Sequence, residues 1–67
     1  MAIVIIHPVH GEQEFDREWA IGQISGGYVD LEQENATLSD AQVADRLQDE
    51  FRSDPEYWEG RRVDTVG

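Results

Sequence analysis

Secondary structure in this chain depends above all on residues 12–34, which read EQEFDREWAIGQISGGYVDLEQE. Acidic residues occupy every second position in both halves of this stretch: Glu12, Glu14, Asp16 and Glu18, then Asp30, Glu32 and Glu34. In a β-strand that spacing places all the acids on one face of the sheet. The alternation therefore predicts two strands, 12–24 and 28–34, with one acidic and one apolar face.

The first half of this stretch also fits a helix, because Phe15 and Trp19 are four residues apart. A helix would divide the acids between different sides and move Ile21 out of the apolar stripe. The strand interpretation separates apolar from acidic positions more cleanly and is preferred. Residues 25–27 (Ser-Gly-Gly) then predict a hairpin loop, since glycine readily adopts the left-handed conformation that such loops need.

The register of the predicted hairpin follows from the length of its loop. A three-residue loop pairs Ile21 with Leu31, which keeps the apolar face whole. It also brings Glu18 opposite Glu34, so the acids gather on the other face. A two-residue Gly-Gly loop would place Ile21 opposite Glu32 and mix the two faces, so the first register is predicted.

A helix is predicted over residues 39–53. Ser39 is suited to cap its N-terminus, and Gln42, three residues later, completes a capping box. Apolar residues then recur at helical spacing, at Val43, Ala44, Leu47 and Phe51. Residues 54–55 (Asp-Pro) end the helix, because proline lacks the N–H group and clashes with the preceding turn.

The remaining segments complete an α+β domain that spans residues 1–67. Residues 2–6 (AIVII) form a continuous apolar, β-branched run, which predicts a central strand buried on both faces. Residues 61–66 predict a last strand. The expected fold is a small, three- or four-stranded, mainly antiparallel sheet, containing the hairpin 12–24/28–34 and packed on one helix. Its expected core comprises Ile3, Ile5, Phe15, Trp19, Ile21, Val29, Leu31, Val43, Leu47 and Phe51.

The composition constrains the partners. Fifteen Asp and Glu residues against five Arg and no Lys give a net charge of -10. This charge repels nucleic acids and anionic membranes, so direct binding to either is not expected, whereas basic protein surfaces are attracted. With no cysteine and no apolar run long enough to span a membrane, the sequence predicts a cytoplasmic protein. A homodimer is left open, because so short a chain buries a modest share of its surface.

No catalytic motif accompanies the acids, so neither an enzyme nor a cofactor is predicted. His7 and His10, with Glu12 nearby, raise the question of a metal site. Pro8 interrupts this segment, and the arrangement is not that of a helical zinc-binding motif. Two surface histidines in a loop are the preferred interpretation, and no metal site is predicted.

The acidic face of the hairpin is the predicted partner-binding site. A face of one charge attracts a complementary partner and speeds its encounter. It could imitate the charges of a nucleic-acid backbone and occupy the Lys/Arg groove of a nucleic-acid-handling protein or complex. Tyr28 falls on the same face, and aromatic residues are enriched at binding hot spots. The predicted site residues are Glu14, Asp16, Glu18, Tyr28, Asp30, Glu32 and Glu34.

In size, acidity and lack of a catalytic motif, the chain resembles the small phage-encoded inhibitors of host defence, including anti-CRISPR proteins and DNA mimics. The resemblance is one of composition, and it implies an inhibitor that acts by binding. The alternative is a small interaction or structural subunit from a salt-adapted organism or a GC-rich genome. Its acidity would then serve only solubility.

Overall fold

The computed structural model describes residues 2–66. It contains three strands and three helices, in the order β1 (Ala2–His7), β2 (Gly11–Glu14), α1 (Arg17–Ser25), α2 (Val29–Asn35), α3 (Asp40–Ser53) and β3 (Arg62–Val66). The strands form one antiparallel sheet in the order β2-β1-β3. The predicted α+β class is confirmed, with the smaller of the two expected strand numbers.

The apolar run at the start of the chain forms the central strand. β1 pairs with β2 on one side, where Ile5 lies opposite Gln13, and with β3 on the other, where Ile5 lies opposite Val63. Adjacent Val4 and Ile5 point to opposite faces of the sheet, and both are buried. Ile5 and Val63 lie on the face that packs against the core residues of the helices.

The helix predicted over residues 39–53 is present as α3. The Ser39 hydroxyl accepts a hydrogen bond from the Gln42 N–H (3.2 Å), and the Gln42 side-chain oxygen accepts one from the Ser39 N–H (2.9 Å). This reciprocal pair is the expected capping box, which satisfies two N–H groups that the helix itself leaves free. The buried side of α3 consists of Val43, Ala44, Leu47 and Phe51.

The predicted strand over residues 12–24 is wrong beyond Glu14, because α1 begins at Arg17. Asp16 caps this helix: its Oδ1 accepts hydrogen bonds from the N–H groups of Glu18 (3.0 Å) and Trp19 (3.3 Å). These bonds satisfy free N–H groups of the first turn, which an extended backbone would not present in this geometry. The acidic alternation thus runs through a short strand, a cap and a helix.

The predicted strand over residues 28–34 is also wrong, since these residues belong to α2 and its N-cap. Gly26 has a φ of 62° and ends α1, with its N–H donating to the carbonyl of Gln23. Glycine in the left-handed conformation is typical of helix C-termini as well as of hairpin loops, so residues 25–27 are compatible with either structure. The predicted pairing of Ile21 with Leu31 therefore does not occur, and neither does that of Glu18 with Glu34.

The core differs from the expected one mainly in α2. Val29 is 63% exposed and Leu31 is 43% exposed, because the apolar residues of this short helix do not form an inward stripe. Trp19 is partly exposed on α1, whereas Trp58, absent from the expected core, is buried. The buried cluster comprises Ile5, Ala20, Ile21, Val43, Leu47, Phe51 and Trp58, with Phe15, Ile24, Leu38 and Val63 packed against it. This cluster contains residues of α1 as well as α3, so the expected packing of the sheet on one helix is not confirmed.

Candidate protein-binding surface

Helix α2 is attached to the domain through a buried polar contact. The Asn35 side-chain NH₂ donates to the Ser25 hydroxyl at the end of α1 (2.9 Å), and Arg46 of α3 donates to the Asn35 side-chain oxygen (3.2 Å). Asn35 is the buried residue of α2 and is 6% exposed. With its anchor polar, α2 keeps its apolar side chains available at the surface.

Arg17 fixes the connection between α2 and α3. Its guanidinium donates to the Asp40 carboxylate (2.8 Å) and to the backbone carbonyls of Ala36 (2.8 Å) and Leu38 (2.6 Å). Arg17 is also the one basic Arg or Lys residue among the first 45 residues of the chain. The guanidinium of Arg17 therefore binds groups within the fold and does not neutralise the other acids of the N-terminal part.

A groove of about 330 Å³ runs between α1 and α2. Gly22 lies in the lining of the groove, and a Cβ atom built at this position would lie 4.0 Å from the Glu32 Oε1 atom. Apolar groups and two carboxylates line this groove, which comprises Glu18, Ile21, Gly22, Val29, Glu32, Gln33 and Ala36. Its chemistry suits a group that is apolar along its length and positively charged at its end.

Two of the predicted site residues, Glu18 and Glu32, meet in this groove. They come from different helices, so the packing of α2 against α1 brings them together. The other acids of α2, Asp30 and Glu34, are four residues apart and share one side of the helix. That side lies away from the groove, because Glu32 is displaced from each of them by about 200° around the helix axis.

Glu14 and Asp16 line a second depression, on the other side of the α1 N-terminus. Trp19 and Arg61 line it too. Arg61 brings a positive charge to this depression, which is therefore less suited to a cation than the α1–α2 groove. The prediction that the alternating acids share one sheet face is wrong, because Glu12 and Glu14 lie in a strand and the others lie in α1, its N-cap and α2.

Tyr28 stands at the N-cap position of α2 and is 70% exposed. A Cβ atom built at Gly26 would lie 3.8 Å from the Tyr28 ring, so the ring packs close to the end of α1. Val29 and Leu31 are exposed as well, and they lie about 200° apart around the axis of α2, so that only Val29 lies in the groove. Exposed apolar side chains next to uncompensated charge are typical of binding surfaces.

The ion pairs leave the predicted acids unpaired. Within residues 2–66 the ion pairs are Arg17–Asp40 (2.8 Å), Arg52–Asp49 (3.9 Å) and Arg61–Glu59 (4.0 Å), and Glu59 also makes a hydrogen bond with His7 (2.8 Å). In this part of the chain, none involves Glu14, Asp16, Glu18, Asp30, Glu32 or Glu34. Their charges therefore act outward and attract cations from solution.

His7 is not the surface loop residue that the sequence suggested. It ends β1, is 4% exposed, and its Nδ1 atom accepts hydrogen bonds from the backbone N–H groups of Val9 and His10 (3.0 Å each). Nε2 consequently carries the proton and donates to the Glu59 carboxylate (2.8 Å). This bond, with Arg61 nearby, holds the pKa of Glu59 below its ordinary value. Both nitrogens of the ring are thus occupied by contacts within the fold.

Over residues 2–66, no group of three or more His, Cys, Asp and Glu side chains is placed to hold a metal ion. Across the same residues, no helix is long and apolar enough to cross a bilayer. Comparisons of the chain with protein-family models, with curated proteins and with solved structures found no match.

Proposed function

We propose that this protein is a non-enzymatic acidic binding protein that inhibits a nucleic-acid-handling protein or complex by occupying its basic groove. The observation that carries the proposal is the α1–α2 groove, which Glu18 and Glu32 line together with apolar Ile21 and Val29. The surface combines the two properties that a basic protein groove requires of a tight competitor, negative charge and apolar contact.

The charge component replaces phosphates. Proteins hold nucleic acids largely through Lys and Arg contacts to the phosphate backbone. Six carboxylates that lack an ion-pair partner within residues 2–66 offer these cations an alternative set of anions. The long-range field of an acidic surface also speeds encounter with a basic one, especially at low ionic strength. Five of these carboxylates lie on α1, its N-cap and α2, and the sixth, Glu14, ends β2, so they do not share the sheet face that the sequence predicted.

The apolar component supplies affinity that charge alone does not. Ion pairs at an exposed surface contribute little, because solvent and salt screen them. Tyr28, Val29 and Leu31 lie on the same helix as three of the carboxylates and are all exposed. Burial of such side chains in a partner stabilises a complex in a way that salt does not weaken.

The proposal places the protein in the cytoplasm with its partner, in a role similar to that of phage-encoded inhibitors such as anti-CRISPR proteins and DNA mimics. Neither a cofactor nor direct contact with nucleic acid or membrane takes part. A homodimer is compatible with it, provided that the α1–α2 surface stays free. The second candidate is a salt-adapted or GC-rich-genome interaction subunit that docks through the apolar side chains of α2, with the acids serving only solubility.

Affinity capture with charge-reversed variants tests the proposal. The immobilised protein is incubated with host lysate and washed across a salt gradient, beside two variants of equal charge change. One carries Glu18→Lys, Asp30→Lys and Glu32→Lys on α1 and α2. The control carries the same substitution at exposed Asp45, Asp49 and Glu56. Circular dichroism establishes that each variant folds.

We expect the wild type and the control to retain one nucleic-acid-handling protein that the α1–α2 variant loses. Retention by both variants with unchanged salt dependence would reject the α1–α2 surface. If both variants retain the partner even at high salt, the result would favour the second candidate, an interaction subunit that docks through apolar side chains.

A further inference from the structure

We infer that the groove between α1 and α2 receives a single arginine side chain of the partner. Its aliphatic stem lies along Ile21 and Val29, and its guanidinium lies between the carboxylates of Glu18 and Glu32. The inference rests on the proposed function, since it names the group by which a basic partner enters the groove.

The charge of the groove defines the occupant as a cation. Glu18 and Glu32 line the same space, and within residues 2–66 neither makes an ion pair. The nearest arginine in sequence, Arg17, donates to Asp40 and to two backbone carbonyls. The groove therefore presents two carboxylates that a cation from outside the chain can neutralise.

The shape of the groove favours arginine over lysine. A guanidinium is planar and carries five N–H donors in a fixed fork, so one group can bond two carboxylates at once. An ammonium is compact and strongly hydrated, and it loses more when it leaves water. Gly22 has no side chain, and a Cβ atom at that position would lie 4.0 Å from the Oε1 atom of Glu32.

The size of the groove is compatible with a single long side chain. Its volume of about 330 Å³ is at the lower limit of sites for small molecules, which run from roughly 300 to 1,000 Å³. Its lining combines apolar groups, which suit the stem of an arginine, with two carboxylates, which suit its charged end. A single long basic side chain meets both conditions.

Gly22→Leu tests the groove without changing the charge of the protein. Position 22 lies inside α1, where leucine favours the helix more than glycine does. Its side chain would occupy the space between α1 and α2, whereas Gly22→Ala adds a methyl group that leaves most of the groove open. The alanine variant is therefore the matched control for the leucine variant.

The probes are an oligoarginine and an oligolysine of equal length, titrated at physiological ionic strength with backbone amide shifts followed by NMR. We expect the wild type and Gly22→Ala to bind oligoarginine about tenfold more tightly than oligolysine, the effect of about one additional charge-assisted hydrogen bond. Gly22→Leu should remove that preference and leave the affinity for oligolysine unchanged. The largest shifts should fall on residues 18–22 and 29–36.

A second pair of variants covers the case in which Gly22→Leu does not fold. Glu18→Gln with Glu32→Gln removes both carboxylates of the groove, and Asp30→Asn with Glu34→Gln removes two from the outer side of α2. The variant with Glu18→Gln and Glu32→Gln should lose the preference for oligoarginine over oligolysine. The variant with Asp30→Asn and Glu34→Gln should bind both peptides more weakly, with the ratio of the two affinities unchanged.

The outcomes separate this inference from the proposed function. If both peptides bind with equal affinity and neither the leucine nor the Glu18/Glu32 variant changes their ratio, the groove is not an arginine site, while the acidic surface still binds cations. If neither peptide binds, the proposed function fails and the inference fails with it.

Discussion

Asn35 connects α2 to both neighbouring helices through hydrogen bonds to Ser25 and Arg46. Asn35→Ala removes these bonds and leaves the buried Ser25 hydroxyl without its donor. We expect the free energy of unfolding to fall by about 1–3 kcal/mol, the cost of unpaired buried polar groups. Urea unfolding followed by tryptophan fluorescence measures the change. Gln33→Ala, at an exposed position of the same helix, is the control, and equal effects of the two substitutions would contradict the anchor.

Glu59 gives the fold a defined response to acid. The hydrogen bond from His7, with the positive charge of Arg61, holds the pKa of Glu59 below its ordinary value of 4.5. A carboxyl whose pKa is lower in the folded chain stabilises the fold above its unfolded pKa. That contribution disappears as the pH falls through the folded pKa.

The effect is measurable as a difference between Glu59→Gln and the wild type. At neutral pH the variant should have the lower urea midpoint, because it has lost the charge that His7 and Arg61 stabilise. At a pH well below the ordinary carboxyl range, where Glu59 is protonated in both states, the two midpoints should converge. Glu56→Gln, on the same turn, provides the comparison. A difference that persists in acid would show that the Glu59 charge is not its source.

Replacement by alanine should change the stability of the protein in opposite directions at Gly22 in α1 and at Gly26, its C-cap. Gly22 lies within the helix, where alanine is favoured by about 0.5–1 kcal/mol, and a Cβ there lies 4.0 Å from its nearest neighbour. Gly26 has a φ of 62° at the C-cap, where alanine costs about 1–2 kcal/mol. Thermal unfolding should show a raised Tm for Gly22→Ala and a lowered Tm for Gly26→Ala. Changes of the same sign would contradict a helix that ends at Ser25.

Helix α3 could be predicted from the sequence because three independent signals agree. Ser39 and Gln42 cap its start, apolar residues recur along one side, and residues 54–55 end it. In α1 the signals conflict. Its buried residues are Ala20, Ile21 and Ser25, so it lacks a strong apolar stripe, while the acids before and within it alternate as in a strand.

The cap residues are the sequence signal that could have revealed α1. Asp16 is a favoured N-cap residue, and Glu18 in the first turn interacts favourably with the helix dipole. Gly26 then marks the C-terminus. For a helix of nine residues, capping at both ends outweighed a periodicity that was regular only in its charged positions.

The candidate site could be predicted in its residues but not in its arrangement. The acids are visible in the sequence, yet the meeting of Glu18 with Glu32 depends on how α2 packs against α1. That packing is fixed by Asn35, a polar residue that hydrophobic patterns do not identify as buried. The floor of the groove was not predicted either, because the expected strand over residues 28–34 placed Val29 in the core.

Across the whole molecule, charge is unevenly distributed. Residues 1–45 contain nine acids and one arginine, and residues 46–67 contain six acids and four arginines. The repulsion among the unpaired carboxylates lowers stability, and salt screens it. Uneven charge therefore links the stability of the protein to the surface that we propose as its binding site.

Unfolding at different salt concentrations tests this link. The urea midpoint should rise with sodium chloride from a protein already folded at low salt, with most of the gain complete near 0.1–1 M, where the Debye length falls from about 10 to about 3 Å. A variant with Glu18→Gln, Asp30→Asn and Glu32→Gln should show a smaller rise. A chain that folds only in multimolar salt would instead support the salt-adapted subunit.

Competition between this protein and nucleic acid for one basic partner tests the proposed function most directly. The partner identified by affinity capture is loaded with a fluorescent nucleic acid of the type it binds, and release is followed by anisotropy as this protein is added. We expect release by the wild type and by the Asp45/Asp49/Glu56 variant, and none by the variant reversed at Glu18, Asp30 and Glu32. Equal release by both variants, or a partner that binds this protein and its nucleic acid together, would contradict the proposal.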